Sequence, residues 1–148
     1  MREVGAGDRA LAIALFIVAA ITAAYWILWY LVPGGEVMLS VLPGDAAHKR
    51  FEDAFLVADT WMAIAAVIAA LRLLSGSPRA SAWLYMGGSA AIYLAGMDVL
   101  YDVQNGIYAL AALPEHRDAV VTEAVINFGT LVFAAFSIAR ARTVELSR

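Results

Sequence analysis

The most constraining feature of this sequence is a stretch from Ala10 to Val32 that contains no charged residue over 23 positions. A helix needs about 20 apolar residues to cross the hydrocarbon core of a bilayer. The chain of 148 residues is 63% hydrophobic and 16% charged, whereas soluble domains average about 45–50% apolar and about 25% charged residues. A soluble domain this small could not bury so much apolar surface. The sequence therefore predicts an integral membrane protein.

Three further apolar stretches follow, and each is bounded by residues that break helices. Pro33-Gly34-Gly35 ends the first stretch, and Pro78 and Pro114 lie in two later connections. We predict an all-α, four-transmembrane-helix bundle with up-down topology that forms one domain over residues 1–148. The predicted spans are residues 10–32, 51–74, 80–103 and 118–139.

The basic residues are distributed unevenly between the two sides of this predicted bundle. Lysine and arginine are enriched on the cytoplasmic side of membrane proteins. Seven of the ten lie at the termini or in the second loop, so we expect both termini to be cytoplasmic. These seven are Arg2, Arg9, Arg72, Arg79, Arg140, Arg142 and Arg148, against Lys49, Arg50 and Arg117 on the other side.

Several classes of function are excluded by residue counts. The chain has no cysteine, which excludes thiol chemistry and thiolate metal sites. Its net charge of −3 gives no basic surface for nucleic acid. His48 and His116 lie outside the apolar stretches, which excludes a bis-histidine haem within the membrane, and we expect both to be exposed to solvent. The sequence thus predicts no cofactor and no metal; the alternative is a metal held outside by these histidines and carboxylates.

Four carboxyl groups fall within the predicted spans or at their ends: Asp59, Asp98, Asp102 and Glu123. An aspartate at the centre of a membrane helix costs about 2.5–3.5 kcal/mol on insertion scales. In the predicted topology all four lie toward the outer face. Since lipid does not accept such groups, we expect them to face the interior of the bundle, whereas Glu52-Asp53 is expected to solvate a helix entry.

Helical spacing places these acids on stripes with other polar and aromatic side chains. Glu123 and Asn127 are one turn apart, and the aromatic residues of the first span also share a face. The stripes predict an outward-opening acidic and aromatic cavity above an inner half rich in Ala and Gly, where helices approach closely. The candidate binding residues are Asp59, Asp98, Asp102, Asn105, Glu123, Asn127, Trp26, Trp29 and Tyr101.

Simpler interpretations remain open for most of these residues. Asp98 and Asp102 would reach water if they lie near the interface, and Asp59 would tie helices together as a neutral carboxyl group. Glu123 would complement the dipole at a helix start. Trp26, Trp29 and Tyr30 also fit an interfacial aromatic belt.

The acidic pattern occurs in three segments within residues 50–135: Val57-Ala58-Asp59-x-Trp61, Met97-Asp98-x-Leu100-Tyr101-Asp102 and Glu123-x-x-x-Asn127. This pattern resembles small bacterial four-span membrane proteins, and the resemblance implies a multi-pass protein of the bacterial inner membrane but no activity. The chain also has a weaker resemblance to sterol-isomerase-like membrane proteins, whose active sites combine acidic residues and an Asn with a histidine of the bundle. Neither histidine here lies in a predicted span, so no catalytic residue is carried over.

Three hypotheses for function follow from the sequence. The first is binding or transport of a small cationic or amphipathic ligand, through charge and cation–π attraction. The second is a membrane-embedded isomerase or cyclase with Asp59 and Asp98 as the acid/base pair. The third is an accessory or assembly subunit without a ligand. The expected partners are the lipid bilayer, a small-molecule or lipid ligand and further copies of the chain, but no nucleic acid.

Overall fold

The computed structural model describes residues 3–146, and within this range it contains helices and no strand. The all-α fold class is therefore confirmed. The four long helices fall on the four predicted apolar stretches, while Arg2 and Arg148 lie outside the described residues. The elements are α1 (Ala6–Leu31), α2 (Gly35–Leu39), α3 (Ala46–Asp53), α4 (Leu56–Leu74), α5 (Ala80–Gln104), a short 3-10 helix (Ile107–Ala112) and α6 (Pro114–Leu146).

Three segments are long and apolar enough to cross a membrane: Ala6–Leu31, Ala46–Leu74 and Pro114–Leu146. These three segments are consistent with a membrane protein. The predicted third span corresponds to α5, which has sufficient length at 25 residues. Gly, Ser, Trp and Tyr are interspersed along it, so it lacks the long apolar stretch of the other three. It packs against both α4 and α6.

The long helices pack in chain order, α1 against α4, α4 against α5 and α5 against α6. Small residues allow this close packing. At Gly88 of α5 an added Cβ would come within 2.9 Å of Cγ1 of Ile138 on α6, so that contact requires glycine. At the end near the termini all four helices contribute to one buried cluster: Ala12, Leu15, Ala19, Ala66, Ala69, Ala70, Leu73, Ala80, Leu84, Ala141 and Val144.

A charged pair joins the first helix to the last at that same end. Asp8 in the first turn of α1 is fully buried, and Arg140 of α6 donates hydrogen bonds to its Oδ1 atom through Nε (3.0 Å) and through Nη2. The backbone N–H of Gly5 also donates to Asp8, at 3.2 Å. Because a buried carboxylate needs such partners, this pair fixes α1 against α6 at the end where both termini lie.

The connections at the opposite end are more ordered than the predicted first loop, residues 33–50, implied. This segment contains α2 and α3, and Asp45 caps α3 by accepting hydrogen bonds from the N–H groups of Ala47 (2.7 Å) and His48 (2.9 Å). These two bonds hold the pKa of Asp45 below its usual range. Val41 of this segment is buried against Ile107 and Val120, so the two connections pack together as a roof over this end.

Arg140→Ala is expected to lower the free energy of unfolding by about 1–3 kcal/mol, because it removes charge-assisted hydrogen bonds from a buried carboxylate. Arg142→Ala is the matched control, since Arg142 lies on the same helix and is exposed. Thermal unfolding in detergent measures both. Equal melting temperatures for the two variants would contradict a structural role for the pair.

Candidate functional site

A cavity of about 300 Å³ lies between the helices, in the half of the bundle next to the roof. Its volume is at the lower end of the range for small-molecule sites, about 300–1,000 Å³. Carboxyl groups from four helices, α3 to α6, face it, and the remaining wall is mostly apolar. The lining includes Val18, Ile21, Thr22, Tyr25, Glu52, Phe55, Asp59, Met62, Leu94, Asp98, Glu123, Val125, Ile126, Asn127, Gly129, Thr130 and Phe133.

Three of these acids form a tight group, which we call the carboxyl cluster: Glu52 of α3, Asp98 of α5 and Glu123 of α6. One carboxylate oxygen from each lies within 4.8 Å of the other two. All three side chains are partly buried. Like charges this close repel each other strongly at low dielectric, so the cluster favours a bound cation or a shared proton.

Asn127 connects the carboxyl cluster to a fourth acid. Its Nδ2 atom donates to Oδ2 of Asp102 (3.2 Å) and to Oε1 of Glu123 (3.3 Å). Asp102 is 2% exposed and lies behind the cavity wall, whereas Asn127, which is 1% exposed, is part of that wall. The Tyr108 hydroxyl of the roof is buried beside both residues, and burial raises the pKa of Tyr108 to about 12. Tyr108 therefore stays neutral and adds no charge to the site.

The acids of the site lack basic partners. Within residues 3–146, no lysine or arginine forms an ion pair with Glu52, Asp59, Asp98, Asp102 or Glu123. The nearest basic side chain is His48, whose Nε2 atom is 3.8 Å from Oε1 of Glu52. The described part of the site therefore has an excess of acidic groups in a largely apolar surrounding.

Aromatic side chains of α1 donate hydrogen bonds to two acids of the cavity. The Tyr25 hydroxyl donates to Oε2 of Glu52 at 3.2 Å, and Trp26 donates through Nε1 to Oδ2 of Asp59 at 3.1 Å. The rings of Tyr25 and Trp26 meet edge to face at 5.1 Å. These contacts orient the acids on α3 and α4 from the neighbouring helix.

A second polar group lies nearer the roof and outside the cavity. Asp53 accepts hydrogen bonds from Trp29 (3.0 Å), Tyr30 (2.8 Å) and Lys49 (2.9 Å), and Lys49 also pairs with Glu36 at 3.2 Å. Lys49 lies 5.7 Å from the centre of the Trp29 ring. This group is internally satisfied, which is typical of a structural network rather than of a ligand site.

The predicted binding residues fall into three groups in the structure. Asp59, Asp98, Glu123 and Asn127 line the cavity, while Asp102 and Trp26 lie one contact behind it, against Asn127 and Asp59. The others lie elsewhere. Trp29 binds Asp53, Tyr101 stacks on Phe51 at 3.7 Å, and the exposed Asn105 donates to the carbonyl of Tyr101.

Two residues depart from the expectations, Glu52 and His48. Glu52 was expected to solvate a helix entry and His48 to be exposed, yet Glu52 joins the carboxyl cluster and His48 is 3% exposed. Both expectations were wrong because residues 46–53 form α3, which carries them inward beneath the roof. The seven-residue spacing from Glu52 to Asp59, which places both on one helical face, was the available signal.

Comparisons with known proteins give no match that would assign a function to this site. No family model matches the chain, and no curated protein or solved structure matches it.

Trp26→Phe is expected to destabilise the protein by about 1–3 kcal/mol, because the indole N–H is the hydrogen-bond donor described for the partly buried Asp59 side chain. Trp29→Phe is the matched control, since Asp53 keeps Tyr30 and Lys49 as donors. We expect a smaller loss, below about 1 kcal/mol, for the control. Thermal unfolding of both variants measures the difference, and a larger loss for Trp29→Phe would contradict this assignment.

Proposed function

We propose that this protein is a four-span protein of the bacterial inner membrane that binds, and in an assembly transports, a small cationic or amphipathic ligand in its acidic cavity. The observation that carries the proposal is the carboxyl cluster, whose three acids meet at one wall of the cavity without a lysine or arginine partner in the described residues. A ligand cation would supply the missing charge.

The proposed topology adds α5 to the three apolar segments, as the third of four spans in chain order, and places both termini in the cytoplasm. Support comes from the 25-residue length of α5, about 37 Å at about 1.5 Å per residue, which exceeds a hydrocarbon core of about 30 Å. Asp8 and Arg140 bring the start of α1 and the end of α6 to one side. That side also holds Arg72 and Arg79, as the positive-inside rule requires.

The aromatic and apolar wall favours an organic cation over a bare ion. Tyr25, Phe55 and Phe133 line the cavity together with the acids, and aromatic faces attract cations. A hydrated inorganic ion would leave most of this wall without a contact. A primary amine with a short alkyl group fits both kinds of wall.

Glu123→Gln is expected to weaken binding of butylamine at least tenfold, because it removes one of the three charges of the cluster while it keeps the side-chain shape. Glu115→Gln is the matched control, since Glu115 is exposed at the start of the same helix. Isothermal titration of detergent-solubilised protein measures both. Equal affinity of the wild type and Glu123→Gln, or equal binding of butanol and butylamine, would refute the proposal.

A second candidate is an acid/base enzyme acting on a lipophilic substrate. It is favoured by one observation, that Asp59 and Asp98 line the same cavity with Met62 and Leu94 beside them. Proton transfer by such a pair would exchange carbon-bound hydrogen of the substrate with water. Incubation of an isoprenoid lipid extract with the protein in D2O tests this. Asp59→Asn should abolish any deuterium uptake, and uptake that persists in that variant would remove the candidate.

The accessory-subunit hypothesis has less support. It expects each carboxyl group to be paired with another helix and expects no cavity. Asp59, Asp102 and Glu52 fit the first expectation, because Trp26, Asn127 and Tyr25 of other helices donate to them. The cavity itself does not fit the second expectation, and Glu52, Asp98 and Glu123 face it together, which favours a ligand.

A further inference from the structure

The first and last long helices are apart along the half of the bundle that contains the cavity. Packing contacts join α1 to α4, α4 to α5 and α5 to α6, whereas α1 and α6 have no comparable contact. The cavity nevertheless has residues of both on its wall, with Val18, Ile21 and Thr22 from α1 and Val125, Ile126 and Gly129 from α6. The cavity therefore extends to the surface through the space between these two helices, which we call the α1–α6 gap.

The rim of the gap is apolar and exposed. Ile21 is 63% exposed, Val125 67% and Ile126 47%, yet all three also line the cavity. Ile21 lies ten residues before the end of α1, about 15 Å from that end at about 1.5 Å per residue. In a hydrocarbon layer of about 30 Å, the gap therefore faces acyl chains rather than water.

Both ends of the gap are closed by described contacts. Toward the termini, Arg140 holds Asp8, and Ala141 and Val144 of α6 share a buried cluster with Ala12 and Leu15 of α1. At the other end lies the roof, where Val41, Ile107 and Val120 are buried together. Tyr108 of the roof contacts the acids from that side. The gap is thus the lateral entry to the carboxyl cluster.

The cavity is open on the side of the apolar rim. A volume of about 300 Å³ holds an amine head group with part of a long alkyl chain, and the rest of such a chain would extend past the rim into lipid. The same cavity is lined by the carboxyl cluster of Glu52, Asp98 and Glu123 and by the apolar rim. A ligand that contacts both is an amphiphile with a cationic head.

We infer that the ligand is a single-chain lipophilic amine that enters from the membrane through the α1–α6 gap, with its head group at the carboxyl cluster and its chain between Ile21 and Val125. This inference rests on the proposed function and adds the route and the chain. It requires that binding of a long amine depend on the gap as well as on the acids.

The test fills the gap without touching the acids. Gly129 lies at the exposed side of the cavity wall, and an added Cβ there meets nothing within 4 Å, so Gly129→Trp introduces bulk into open space. With protein in phosphatidylcholine nanodiscs, we expect this variant to weaken dodecylamine binding at least tenfold more than it weakens butylamine binding. Ile21→Trp fills the gap from α1 and should act in the same way, which guards against a local folding defect.

The matched control is Gly96→Trp, because Gly96 is a helical, exposed glycine with nothing within 4 Å of an added Cβ and lies outside the cavity wall. It should leave both affinities unchanged. If both gap variants bind dodecylamine like the wild type while Glu123→Gln still abolishes binding, the lateral route is wrong and the proposed function stands. If neither amine depends on Glu123, the proposed function itself fails. Dodecanol that binds as tightly as dodecylamine would refute the cationic head group.

Discussion

The structure depends on the cost of placing carboxyl groups inside an apolar layer. Each such group must find hydrogen-bond donors, a counter-charge or a proton. Asp59 has the indole of Trp26, Asp102 has the amide of Asn127, and Asp8 has the guanidinium of Arg140. In the carboxyl cluster Tyr25 and Asn127 supply hydrogen bonds to Glu52 and Glu123, but no described lysine or arginine supplies a charge. Asp59 and Asp102 share this lack of a basic partner, so the cluster differs from them in bringing three acids to one place.

The two halves of the bundle solve different physical problems. Near the termini, Ala66, Ala69 and Ala70 of α4 let the neighbouring helices approach closely, and Gly88 of α5 admits Ile138. Close packing there leaves little free volume, which anchors the helices. Toward the roof, bulkier side chains and acids keep them apart, and the cavity occupies the resulting space. The closely packed half near the termini holds the helices of the other half in position. Preorganisation of this kind lowers the cost of binding.

The sequence was sufficient for the helices and for much of the site, because both follow from periodicity. The apolar stretches predicted the four long helices within a few residues at most ends, and helical spacing placed Asp98, Glu123 and Asn127 on common faces. It was insufficient for residues 46–53, which the prediction divided between a loop and the second span instead of assigning them to α3, and so Glu52 and His48 were misjudged. Asn105 and Tyr101 were predicted to line the cavity because they lie on the same helical face as Asp98. They do not, because this face continues beyond the cavity to the end of α5 and the turn at Gly106. The third predicted span, residues 80–103, coincides with α5 (Ala80–Gln104), although α5 lacks the apolar stretch of the other three long helices.

The first and last long helices both line the cavity, but they are at opposite ends of the chain. Every other pair of adjacent long helices is joined by a connecting segment that limits how far the two can separate. The helices α1 and α6 are the first and the last of the long helices, so no connecting segment joins them. The separation of their cavity-facing parts is set by side chains, chiefly the pair of Asp8 and Arg140 at one end, and by no covalent link. The proposed entrance therefore coincides with the one pair of neighbouring long helices that no loop connects, so a change in its width would not require any loop to change its length.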